Sequence, residues 1–162
     1  MTTLAMIDMD GVVSDFDKHI FASYGKTMQM MSPSQKDNFW NTDCVSMRFF
    51  ANSPAIQEGI DMVKAIQSRG IDVAFLTSTG GGLQHIDIAK QKLDFLQRHG
   101  MGYLPVSFAT GTKSKALFAR PGIVLIDDRK KVVDAFRSSG GVAYLFSRSN
   151  WKSIASQISE GN

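Results

Sequence analysis

The most constraining feature of this chain is a repeated alternation: a short apolar run ending in polar residues, then a helical pattern, several times over. The first run is Leu4-Ala-Met-Ile-Asp8, too short for a helix and closed by acids and Gly11, which reads as a buried strand. Similar runs recur at Ile71–Thr77, Tyr103–Ala109, Ile123–Asp127 and Val142–Phe146. Between them, Ile56, Ile60, Val63 and Ile66 follow a helical spacing, bracketed by Ser53-Pro54 before and Arg69-Gly70 after. Further helices are expected over Leu83–His99, Lys130–Ser138 and Trp151–Ser159, the last with Asn150 as its N-cap. Buried strands alternating with helices predict an α/β fold, a doubly wound, Rossmann-like parallel sheet covered on both faces. Ligands of such sheets sit outside the C-terminal strand ends, so the polar residues there carry the functional question.

One stretch breaks the alternation. Residues 17–52 are rich in Met, Phe and Ser, with helical patterns around His19–Met30, Ser34–Trp40 and Asp43–Ala51. They fall between the first strand and the next helix–strand unit. The expected organisation is therefore a single domain over 1–162, with a core of 1–16 and 53–162 and a small helical cap at about 17–52 over the ligand edge.

Four strand ends carry chemically pointed residues: Asp8-Met-Asp10-Gly11, then Thr77-Ser78-Thr79-Gly80, then Lys113 and Lys115 after the third strand, then Asp127-Asp128-Arg129. Each alone has an ordinary explanation, because Asp and Gly are common turn residues. Together, Asp8, Asp10, Asp127 and Asp128 converge if their strands are neighbours. Carboxylates that close raise one another's pKa unless a cation intervenes. A hard divalent ion is the usual remedy, and Mg²⁺ pairs readily with phosphate. Thr77, Ser78, backbone N–H groups and a lysine are suitable donors for phosphate oxygens. An acidic metal cluster beside an anion cradle is a phosphoryl-transfer site.

Composition narrows the setting. The net charge of +3 favours an anionic substrate but is too small to argue for duplex nucleic acid. Cys44 is the single cysteine, so no disulfide framework is possible and a reducing compartment fits. No apolar run approaches the roughly 20 residues of a membrane span, and the start of the chain has no basic leader. A cytoplasmic protein without membrane contact is expected, of unspecified oligomeric state.

These residues resemble the haloacid dehalogenase-like (HAD) phosphatases over nearly the whole chain. The four ordered motifs are matched by Asp8-Met-Asp10-Gly11-Val12, by Leu76-Thr77, by a lysine, and by Leu125-Ile126-Asp127-Asp128. Within that superfamily the chain is similar to the 5'(3')-deoxyribonucleotidase group and its phage and bacterial relatives. Asp8 to Phe16 looks like that group's opening; Phe39-Trp40, then Phe49-Phe50 ahead of Pro54 and Gly59, look like its cap, and Trp151-Lys-Ser-Ile154 is similar too. The resemblance implies a phosphatase in which Asp8 attacks phosphorus and forms an aspartyl-phosphate, and Asp10 acts as acid, then base. It implies Mg²⁺ held by Asp8, the Asp10 backbone carbonyl and Asp127 or Asp128. Thr77, Ser78 and the lysine, Lys115 or Lys113, would hold the phosphate. The substrate implied is a small phosphorylated one, a nucleoside monophosphate; sugar phosphates and polynucleotide 3'-phosphate ends are the alternatives. A phospho-accepting receiver module is disfavoured by motif order. Such nucleotidases commonly follow the Thr-Ser pair with Pro, whereas here Thr79-Gly-Gly-Gly82 follows, and the loop is expected to be more mobile. Phe16, Phe21, Trp40, Phe49 and Phe50 are candidates to stack a base. Met28, Met30 and Met31 are expected to fill the cap's packing, and His19, His85 and His99 to lie at the surface.

Overall fold

A computed structural model describes residues 2–160. Its sheet has five strands, β1 (Leu4–Ile7), β2 (Asp72–Ser78), β3 (Val106–Ala109), β4 (Ile123–Asp127) and β5 (Val142–Leu145), in the order β3-β2-β1-β4-β5. Every pairing is parallel. The side-chain period of two sorts each strand onto two faces. Ala5, Ile7, Val73, Phe75, Val124 and Ile126 enter one apolar cluster, with the helices α4 (Gln57–Gln67), α5 (His85–Arg98) and α8 (Trp151–Glu160) supplying Ile60, Val63, Phe95, Leu96, Ile154 and Ile158. Met6, Leu76, Leu125 and Ala143 face the other way, against Val132, Val133 and Phe136 of α7 (Lys130–Ser138).

The third strand is shorter than its apolar run predicts, because Pro105 has no N–H to give a ladder and Tyr103 is exposed. The Pro105 carbonyl still accepts from the Phe75 N–H at 2.8 Å. Ser53 does not cap α4, whose first turn carries no side-chain cap; its hydroxyl accepts from Ser14 at 2.9 Å instead. Gly59, inside α4, lets that helix lie directly on the loop after β1: a Cβ there would stand 1.8 Å from the Val12 carbonyl oxygen.

The segment after β1 holds α1 (Phe16–Tyr24), α2 (Pro33–Asn38) and α3 (Cys44–Ser46), the last two joined by a turn widened to π geometry over Phe39–Asp43. The expected helix over 19–30 is cut at Gly25, whose φ of 63° closes α1 in left-handed geometry. Ile20, Met31, Phe39, Cys44, Phe49 and Phe50 form a cluster of their own, completed by Ile88 of α5. Met30 is exposed rather than packed. His19 and His99 are not surface residues either: His19 stacks on Phe49 at 4.1 Å and His99 lies against Phe95 at 4.4 Å. Burial pushes both imidazoles below their usual range. Helix α5 ties this segment to the sheet. Buried Gln91 accepts from the Phe50 N–H at 3.0 Å and donates to the Cys44 carbonyl at 2.9 Å, and Asp94 pairs with Arg48 at 2.8 Å.

Candidate active site

The register of the sheet places the site. Ile7 is level with Ile126 of β4, so the next residue, Asp8, meets the end of that strand, and its N–H donates to the Ile126 carbonyl at 2.9 Å. Asp127 closes β4, fully enclosed, with Asp128 beyond it. Oxygens of Asp8, Asp127 and Asp128 lie within 4.8 Å of one another. Gly11 makes this approach possible: its φ is 82°, and a Cβ on it would stand 2.1 Å from Asp128 Oδ2.

Lys115 comes up from the short helix α6 (Thr112–Lys115) into the middle of the carboxylates. Its ammonium lies 2.8 Å from Asp8 Oδ1 and 2.8 Å from Asp127 Oδ2. Burial alone would lower this ammonium, but the two carboxylates hold it above its usual value. Lys113, the other candidate from sequence, is on the outside, facing a separate shallow groove with Lys131.

The acids remain strained. Burial, then the Asp8 charge, pushes Asp127 up to about 6 against the opposing pull of Lys115. Burial, then Asp8 and Asp127, pushes Asp128 up to about 7, only partly relieved by Arg129. Both Asp127 oxygens have protein partners, Lys115 on one and the Arg129 N–H at 2.9 Å on the other. Asp128 Oδ1 is buried with no partner at all. An all-oxygen donor set with an orphaned, enclosed carboxylate oxygen fits a hard divalent cation such as Mg²⁺.

A cavity of about 290 Å³ opens beside the cluster, lined by Asp8, Asp10, Ser78, Gly80, Lys115 and Arg129, among others. Ser78 faces it; Thr77, expected to bind phosphate, is fully enclosed and does not line it. A second cavity of about 240 Å³ shares Asp10, Ser78, Gly80 and Arg129 and continues to Phe16, Trp40 and Phe50. Those three rings are near-parallel: Phe16–Trp40 at 14°, Phe16–Phe50 at 24° and Trp40–Phe50 at 26°. Phe49 is wholly buried against Phe39 and His19, so it offers no face to a ligand, and exposed Phe21 lines neither cavity.

The sequence reading missed Lys92. Its ammonium, on α5, donates to Asp10 Oδ2 at 2.7 Å, Thr77 Oγ1 at 2.8 Å and the Ser78 carbonyl at 2.7 Å. The available signal was its phase: Ile88, Lys92, Phe95 and Leu96 share the buried stripe of α5, where a lysine requires a partner.

Known proteins bear on this site as follows. The model of a family described as 5' nucleotidase, deoxy (pyrimidine), cytosolic type C protein matches residues 2–157. No curated protein matches the chain. Among solved structures, a hydrolase from Streptococcus pneumoniae TIGR4 is 15% identical with a TM-score of 0.60, over 96% of this chain and 98% of that one. A haloacid dehalogenase-like family hydrolase from Streptococcus pneumoniae is 11% identical with a TM-score of 0.61, over 90% and 85%. A HAD family hydrolase from Deinococcus radiodurans R1, solved with bound phosphate and sodium, is 11% identical with a TM-score of 0.54, over 97% and 96%. At these identities the likeness is one of fold. The chain has the fold of haloacid dehalogenase-like hydrolases and is a phosphatase that belongs to the 5' nucleotidase, deoxy (pyrimidine), cytosolic type C protein family.

Proposed function

We propose that the protein is a Mg²⁺-dependent phosphomonoesterase acting on nucleoside monophosphates through an aspartyl-phosphate on Asp8. The observation that carries this reading is the Lys115 ammonium set between Asp8 and Asp127, with Asp8 and Asp10 facing one cavity.

Asp8 Oδ1 is engaged by Lys115 and by the Met9 N–H at 2.8 Å, which leaves Oδ2 as the attacking oxygen. Attack forms the Oδ2–P bond as the P–O bond to the leaving alcohol breaks. Asp10 gives that alkoxide its proton, then takes one from the water that cleaves the phosphoenzyme, releasing phosphate and restoring Asp8. Lys115 offsets charge on the nucleophile, and Ser78 with the backbone of the following loop donates to phosphate oxygens. Asp8, Asp128 and the Asp10 backbone carbonyl would hold the cation, with Asp127 kept on Lys115. When bound, Mg²⁺ supplies charge neutralisation for the phosphate.

Residues of about 17–52 serve as the cap. Phe16, Trp40 and Phe50 offer stacking faces to a nucleobase about one cavity away from the phosphate site. No helix of the described residues is long and apolar enough to cross a membrane. The test is a phosphatase screen of nucleoside monophosphates against sugar phosphates, with Mg²⁺ and with EDTA. The expected result is hydrolysis that prefers nucleotides and stops in chelator. Preference for sugar phosphates, or full activity in excess chelator, contradicts it.

A further inference from the structure

We propose that Lys92 is a positioning residue for Asp10, fixing which oxygen of that carboxylate meets the substrate. This inference rests on the assignment of Asp10 as the acid–base group. A lysine ammonium has three N–H donors and no acceptor. All three are used inside the protein, on Asp10 Oδ2, Thr77 Oγ1 and the Ser78 carbonyl. Lys92 is 1% exposed and lines neither cavity of the site, so it has nothing left to offer a substrate and acts through its partners.

The consequences follow from the bonding. Asp10 Oδ2 is tied to the end of β2, and Oδ1 is the oxygen left to exchange protons with the leaving group and the water. Thr77 must accept from Lys92, which explains an enclosed threonine at a strand end otherwise given to the cavity. Ser78, whose carbonyl takes the third bond, is held in place on the cavity wall. The Phe50 ring covers the ammonium, with its centroid 5.1 Å away, and the neighbouring Gln91 fixes the Phe50 backbone. One stretch of α5 therefore seats both the aromatic wall of the second cavity and the catalytic acid.

The test is Lys92→Met, which keeps the aliphatic stem and deletes all three donors, assayed with Asp10→Asn and the double variant. Turnover of a nucleoside monophosphate is expected to fall about 10-fold or more, up to the roughly 10²–10⁴-fold that acid–base help is worth. The first-step burst with p-nitrophenyl phosphate, whose leaving group needs little protonation, should survive. In the Asp10→Asn background, Lys92→Met should cost little further, since both act through one group. A merely structural lysine would lower the burst and the turnover together, and its loss would multiply with that of Asp10→Asn. Either outcome overturns the inference, as does wild-type turnover in Lys92→Met while Asp10→Asn is impaired. An unimpaired Asp10→Asn removes the acid–base assignment itself, and this inference with it. Should Lys92→Met lose its thermal transition, Lys92→Ala is assayed with added n-propylammonium. Restored turnover by the amine and not by n-propanol supports the inference, and equal effects of the two overturn it.

Discussion

At the scale of single residues, the site is decided by which lysine is buried, and two lysines two positions apart have opposite fates. Lys115 is enclosed between Asp8 and Asp127, while Lys113 is exposed. Sequence spacing left both open, because residues two apart on a helical turn face different sides, and only the placement of α6 beside the carboxylates decides which one is enclosed. Removing one partner of a buried ion cluster leaves uncompensated charge, here two carboxylates facing each other. Lys115→Met is therefore expected to lower turnover by at least about 10²–10³-fold, the usual cost of deleting a preorganised charge stabiliser. Lys113→Met should stay within about twofold of the parent, as surface changes do. Steady-state kinetics on one substrate checks both. Comparable losses in the two variants would contradict the assignment. Lys92 was harder to foresee than either, because a lone lysine in a helical pattern ordinarily reads as the solvated face.

Elements show where local signals suffice and where they fail. β4 and α7 fall where their patterns predict, Ile123–Asp127 and Lys130–Ser138, since each is bounded by clear turn residues. The largely apolar runs of β1 and β2 also mark buried strands, within a residue at their ends. The segment between β1 and α4 was legible only as helical. Its breaks depend on the left-handed Gly25 and the π turn at Phe39–Asp43, which orients Trp40 toward the cavity and Phe39 into the core. Of the aromatic candidates, sequence could not separate Phe50 from its neighbour Phe49, because only packing tells which ring faces the site. Gly59 gives the element-scale prediction. A methyl there meets the Val12 carbonyl, a backbone atom that cannot swing aside. Gly59→Ala should lower unfolding free energy by roughly 1–3 kcal/mol despite its better helix propensity. Urea denaturation reads this directly, and a stabilised variant would show that α4 sits further from the loop than described.

At the scale of the whole molecule, the site is a stability defect, a buried cluster of acids held against their own repulsion. Asp127 and Asp128 have folded-state pKa values of about 6 and about 7, above the ordinary carboxylate value of 3.8 that the unfolded chain keeps. Between those limits the folded state binds more protons, so stability falls as pH rises through roughly 4 to 7. In EDTA, the melting temperature should therefore be lower at about pH 8 than at about pH 5.5. If the cluster holds Mg²⁺ as proposed, the added ion should raise it more at the higher pH, where the acids are ionised. A melting temperature that climbs with pH in chelator would contradict the electrostatic account. The central claim, that Asp8 is the nucleophile and Asp10 its acid–base partner, has a more direct test in intact-protein mass spectrometry. Asp10→Asn, given p-nitrophenyl phosphate and Mg²⁺, should complete the first step and stall in the second, so that the protein gains one hydroxylamine-labile phosphate on Asp8. Asp8→Asn should gain none and turn over nothing. An Asp8→Asn variant that hydrolyses substrate, or an Asp10→Asn variant that never carries phosphate and turns over normally, would contradict it.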